Sequence, residues 1–224
     1  MNVYKVNAHA KPPTGKFDTY AFLDSNKSDR KYLDIDNFNG RPFPKKWRRV
    51  TLFFCNPLRP RADFHNFSIS KFVCNERARK LAGPALDGAG EFLPVEIEGE
   101  ASVHYIYNVT TCGDFIDSKN SIWEFYEPEK IDMGLVAPAF RAASLGGKTL
   151  FKIPEDEGTE IYCVERKPAV GCYELKSLVE QHKLTGLKFE LVWSENRGPI
   201  ISKHKPSMEG IVWKTGDGKK YKAK

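Results

Sequence analysis

Cysteine, histidine and the carboxylates are the side chains from which metal centres, nucleophiles and acid–base pairs are built, and in this chain their spacing supports none of these. The nearest approaches to a metal set are His104 with Cys112 and Cys163 with Cys172. CxxC, HxxxH and HExxH, which put two ligands on one turn or one helix face, do not occur. The stretch Asp34–Gly40 (DIDNFNG) begins like a calcium loop, but Phe38 takes the place of the fifth-position ligand and Lys45 stands where a bidentate Glu belongs. An Asx-rich turn is expected there instead. The glycine clusters at Gly88 and Ser144 lack the spacing and the Lys-Ser/Thr ending of a phosphate loop, and no GxSxG elbow is present. Glu129–Lys130 and Glu174–Lys176 read as solvated ion pairs. The expectation is a chain with no catalytic residue, no metal and no cofactor.

Two stretches carry binding chemistry. From Asp114 to Asp132 the acids Asp114, Asp117, Glu124, Glu127, Glu129 and Asp132 alternate with Trp123, Phe125 and Tyr126. Aromatic anchors ringed by like charge suit a protein interface aimed at a basic partner, with Asp114, Asp117, Trp123, Glu124, Tyr126, Glu127, Glu129 and Asp132 as its candidate contacts. The plain alternative is an edge strand that turns its aromatic residues inward and its acids to water. From Arg41 to Arg61 there are seven basic residues and no acidic one. Arg41, Lys45, Lys46, Arg48 and Arg49 beside Trp47 are the mixture that nucleic-acid surfaces use for phosphate contact and base stacking. The alternative there is a solvated loop beside a core strand, with Trp47 packed inward.

The net charge of +6 hides this segregation. Fifteen acids against five bases lie between Pro84 and Tyr162, and seven lysines against Glu209 and Asp217 lie between Lys203 and Lys224. Surfaces of opposite sign point to charged partners, and the acidic middle weighs against nucleic acid as the main one. Five cysteines at irregular spacing fit reduced thiols. No leader-like apolar core opens the sequence, and no run of about 18 apolar residues could cross a bilayer. A cytoplasmic protein is expected.

The elements that must position these residues are mainly strands. Val3, Tyr4 and Val6 open one; Val50–Cys55, FLPVEIEG, VHYIYNVT, SIWEFY, TLFKI and EIYCV follow, separated by Gly, Pro, Asp or Asn. Asn75 is placed to cap a short helix over ERARKLAG that ends near Gly83 and Pro84. Leu175, Leu178, Val179 and His182 have helical spacing within Tyr173–Lys183, which Gly186 is placed to end. LKFELVW alternates, with Leu187, Phe189, Leu191 and Trp193 expected on one face. The fold class is α+β, a mostly antiparallel sheet with a few short helices. Residues 1–194 are expected to form a single domain and 195–224 a basic extension in which Ile211, Val212 and Trp213 suggest one docked element.

The ordered series FLPVEIEG, YIYNVT, Asp117, LFKIPE, IYCV and ELKSLVEQHKLTGLKFELVW resembles the eleventh immunity-protein family of bacterial polymorphic toxin systems, formerly a domain of unknown function. The resemblance covers residues 72–193, and its most specific part is the helix followed by Leu184-Thr185-Gly186-Leu187-Lys188-Phe189 and the strand ending at Trp193. It implies a small cytosolic protein that binds a cognate toxin and blocks its active site, and it brings no catalytic residues. The toxin would act in the cytosol, as a nuclease or another cytosol-acting enzyme does. Nucleic-acid binding through residues 41–61 is the second reading, and an enzyme whose site assembles only in three dimensions is the third.

Overall fold

A computed structural model describes residues 1–8, 18–23, 33, 35–44, 46–54, 59–68, 71–166, 173–201 and 210–221. The chain opens with strands β1 (Asn2–Asn7), β2 (Asp18–Leu23), β3 (Thr51–Phe54), β4 (Arg61–Ser68) and β5 (Lys71–Asn75), then helix α1 (Glu76–Leu86). Strands β6 (Gly90–Ile97), β7 (His104–Val109), β8 (Ile122–Tyr126), β9 (Ile131–Ala137), β10 (Leu150–Phe151) and β11 (Tyr162–Glu165) follow. Helix α2 (Leu175–Gln181) precedes β12 (Lys188–Ser194), β13 (Gly198–Pro199) and β14 (Ile211–Thr215). This is an α+β fold dominated by antiparallel sheet, as the sequence pattern implies.

The strands form three bodies. A closed barrel runs β2-β3-β6-β7-β5-β4, antiparallel except at β2–β4 and β3–β6. A five-stranded sheet runs β10-β11-β1-β12-β13, and a three-stranded sheet runs β14-β8-β9. Alternation along the barrel strands sorts the side chains. Leu52, Phe54, Val73, Leu93, Val95, Ile97 and Ile106 share the cluster that fills the barrel. Their neighbours Phe64, Phe72, Cys74, Tyr105 and Tyr107 face outward and pack with α1, α2, Val6 and Cys163 of the five-stranded sheet. The other face of that sheet, Val3, Phe151, Tyr162, Val164, Val192 and Trp193, packs on Phe115, Ile116, Phe140 and Leu145.

Two sequence expectations need correction. Helix α1 continues past its expected end near Gly83 and Pro84, running through the proline to Leu86. Asn75 caps it as expected, accepting from the Ala78 N–H at 2.8 Å, and burial of Ala78, Ala82, Ala85 and Leu86 against the barrel offsets the hydrogen bond that Pro84 lacks. Trp193 does not share a face with Leu187 and Phe189. Val3 pairs with Trp193 but Tyr4 pairs with Leu191, so Val192 is an extra residue in the ladder. This bulge turns Val192 and Trp193 into the core on the far side of the sheet, while Leu187 and Phe189 stay against the helices.

The Leu184-Thr185-Gly186 motif is a clamp. Asp63, on β4 and only 6% exposed, accepts through Oδ2 from the Thr185 N–H at 2.8 Å, from the Thr185 hydroxyl at 3.1 Å and from Arg77 Nη1 at 2.8 Å. Its Oδ1 accepts from Asn75 Nδ2 at 3.3 Å. The Phe64 N–H donates to the Thr185 carbonyl at 3.0 Å. Burial alone would raise the Asp63 carboxyl, but the bonds from Arg77, Thr185 and Asn75 outweigh it and hold the group below its ordinary value. Gly186 has φ +101°, and a Cβ there would lie 1.9 Å from the Phe64 carbonyl oxygen, so glycine is required twice over.

Candidate functional site

The acidic and aromatic stretch folds as the β8–β9 hairpin with β14 added on the far side of β8. The expected extension after residue 194 is therefore docked in part: β14 pairs with all of β8, Ile211 opposite Tyr126 and Thr215 opposite Ile122. Trp213 is buried against Ile122 and Ala137, and its Nε1 donates to Glu124 Oε1 at 2.9 Å. Glu127 lies between Lys214 at 3.1 Å and Lys220 at 3.3 Å. Hydrogen bonds from these two lysines hold its carboxyl below the ordinary value. Lysines distant in sequence thus return to the acidic stretch and neutralise part of it.

The remaining candidates divide. Asp114 is exposed and pairs with Arg141 at 2.8 Å. Asp117 closes a turn, accepting from Asn120 Nδ2 at 2.6 Å, while its carbonyl accepts from the Ser121 hydroxyl. Trp123 donates from Nε1 to the Ser118 carbonyl at 3.2 Å and packs with Leu135 against the Phe140–Trp193 core. Tyr126 is half-buried between Ile211 and Ile131. Glu129 and Asp132 are exposed, and Asp132 accepts from the Gly134 N–H at 2.9 Å. The hairpin brings Glu124, Tyr126, Glu127, Glu129 and Asp132 together; Asp114 and Asp117 sit on the connection leading into it. Asp117 and Asn120 also rim a groove of about 370 Å³ floored by Ile122, Phe140 and Trp193.

Two residues of this surface escaped the sequence reading. Ile131 is 47% exposed and Met133 51%. Phe125 pairs with Asp132 and Glu124 with Gly134, which leaves Met133 as the bulged residue of β9, pushed out of the ladder toward solvent. The signal was present as IDMGLV after the Pro128-Glu129-Lys130 turn, but Asp132 and Gly134 interrupt the apolar alternation that marks a strand.

The basic segment is less available than its composition suggests. Lys45 lies outside the described residues. Trp47 is half-buried, with Nε1 donating to the Pro94 carbonyl at 2.8 Å and its ring edge-on to Phe43, so it is committed in part to packing within the fold. Arg49 pairs with Glu96 at 3.1 Å, and Arg61 with Glu100 at 2.6 Å while covering the Phe54 ring. Arg41, Lys46 and Arg48 are exposed. Of the two pairs nearest to a metal set, the second includes Cys172, which lies outside the described residues. His104 and Cys112 are held apart by the length of β7: His104 is inside the barrel beside Phe54 and His65, and Cys112 lies beyond the opposite end.

Among the described residues, no group of three His, Cys, Asp or Glu side chains converges to hold a metal ion, and no helix is long and apolar enough to cross a membrane. One strongly perturbed interior group is Lys152. It is wholly buried; burial first, and then the neighbouring Lys71, push its ammonium down to about 7. Its Nζ donates to the Phe38 carbonyl, which gives it a structural role. No protein-family model matches the chain, and no curated protein matches it closely enough to count as a relative.

Proposed function

We propose that this chain is a protein-binding module of the immunity type, which neutralises a cytosol-acting bacterial toxin by covering its active site with the β8–β9 hairpin. The observation that carries the reading is the exposure of Ile131 and Met133 on an edge strand, beside the exposed acids Glu129 and Asp132. Apolar side chains left in water at this density, rimmed by charge, are typical of surfaces that another protein covers. The support beneath them agrees with this role, since Trp123 packs the hairpin on the Phe140–Trp193 core and Trp213 packs β14 on Ile122 and Ala137 of the hairpin. The partly packed Trp47 and the paired Arg49 and Arg61 weigh against nucleic acid as the partner.

Glu124 and Glu127 hold β14 in place, so the discriminating variant leaves them intact. Co-expression with the product of the neighbouring gene should rescue growth and give a stable complex with the native chain. Glu129→Lys with Asp132→Lys and Met133→Asp should weaken that complex by at least about tenfold, the scale of one lost interface anchor. Equal affinity of the folded triple variant would remove the hairpin from the interface. Absence of any complex with the native chain would remove the immunity reading.

A further inference from the structure

The groove rimmed by the Asp117–Asn120 turn lies between the three-stranded sheet and the β12–β13 edge of the five-stranded one. Its floor includes Phe140 and Trp193, whose rings meet edge to face at 83° with centroids 6.0 Å apart. Pro199, paired with Trp193 across the β12–β13 ladder, borders it on one side. Tyr221, whose N–H donates to the Trp213 carbonyl at 2.7 Å, borders it on another. Backbone pairing holds these walls, so the groove is formed before anything enters it.

Two polar groups that face it are unmatched. Trp193 is 5% exposed, and a tryptophan N–H so deep in a fold ordinarily finds an acceptor. Nε1 of Trp47, Trp123 and Trp213 each donates to a protein oxygen, whereas among the described residues Nε1 of Trp193 donates to none. That donor is not sealed inside the protein, so it opens on the groove. Asp117, half-buried, is the charged side chain of the lining among the described residues. Asp114, Glu127 and Asp217 pair with Arg141, Lys214 and Lys219. Asp117 instead accepts from the neutral Asn120, at 2.6 and 3.3 Å. A carboxylate without a cationic partner above an aromatic floor recognises a cation and rejects an anion.

We propose that this groove takes a lysine side chain from an extended segment of the protein partner. The ammonium sits on Asp117, the methylene stem runs along Phe140 and Trp193, and a carbonyl of the same segment accepts from Trp193 Nε1. The inference rests on the protein-binding reading above and adds a second anchor to the hairpin. Both Asp117 oxygens already accept from Asn120, which suits one ammonium contact better than the two parallel bonds of a guanidinium fork. The apolar floor covers a long stem while its charged head stays at the rim.

N-acetyl-lysine methylamide, titrated into the full chain and followed on the Trp193 indole N–H by nitrogen-15 NMR, tests the groove apart from any partner. It should shift that resonance with a Kd on the order of 1 mM. The norleucine analogue keeps the stem without the charge and should bind about fivefold more weakly, the scale of one partly screened ion pair. Asp117→Asn, which can still close the turn, should erase that difference. No shift at tens of millimolar, or equal affinity for the two amides, overturns the proposal. In the complex with the product of the neighbouring gene, Asp117→Asn should weaken binding by at least about tenfold. An unchanged complex overturns the lysine anchor and leaves the hairpin reading standing. Where the native chain forms no complex the immunity reading fails, and the amide titration alone decides the groove.

Discussion

Replacing Asp63 by Asn tests how the most distinctive sequence motif is fixed to the barrel. Asn keeps the volume but removes the charge, and one of its two positions is an amide that donates instead of accepting. If that amide replaces Oδ2, it confronts the Thr185 N–H and Arg77; if it replaces Oδ1, it confronts the Asn75 amide. The bonds to Thr185 are inside the protein, and exchanging charge-assisted bonds for neutral ones there costs on the order of 1 kcal/mol each. Arg77 is half-exposed, so solvent screens that pair and it adds less than about 1 kcal/mol. The expected loss is roughly 2–3 kcal/mol, a fall of about 1 M in the urea midpoint with the slope unchanged. Because the Asp63 carboxyl is held below its ordinary 3.8, its contribution is complete above that pH and disappears as pH falls through the lowered value. The difference between native chain and variant should therefore shrink toward pH 3. A loss under about 0.5 kcal/mol at pH 7, or a gap that does not narrow in acid, would refute the clamp.

Gly186→Ala should be more damaging, because the new Cβ meets backbone at 1.9 Å and φ is +101°; a loss above about 3 kcal/mol is expected in thermal or urea unfolding, and near-native stability would show that the Thr185 turn is free to shift. Trp213→Ala removes the buried ring that holds β14 to β8 together with its bond to Glu124. About 3–5 kcal/mol should be lost locally, seen as fast hydrogen exchange in residues 211–215 while the barrel strands stay protected; unaltered exchange there would mean that strand pairing alone holds β14.

Strands with uninterrupted alternation were legible from sequence. FLPVEIEG and VHYIYNVT became the adjacent barrel strands β6 and β7, and the 3.6-residue pattern at Leu175, Leu178 and Val179 became α2. Each carries its own signal because one face is apolar along its whole length. Strands β4 and β5 and the edge strand β9 were not read, since polar residues interrupt them. His65 and Lys71 are buried in the barrel wall, and Gly134 and Met133 sit at a bulge. Their state is set by neighbours distant in sequence.

The candidate surface shows the same division. Residue order alone placed Trp123, Glu124 and Tyr126 on one strand and suggested Trp213 as part of a docked element. It counted every acid from Asp114 to Asp132 as free surface, because charge summed along a chain carries no information on which lysines return to it. The pairing of β14 with β8 decided that: it commits Glu124 to Trp213 and Glu127 to Lys214 and Lys220, and it leaves Glu129, Ile131, Asp132 and Met133 facing water. The sequence alone determined the secondary structure wherever one face is apolar along its whole length, since the periodicity of apolar side chains encodes it. Only the tertiary structure decided the barrel closure, the bulge that moves Trp193 to the other core and the identity of the free charges, because each depends on contacts between segments that sequence distance does not relate.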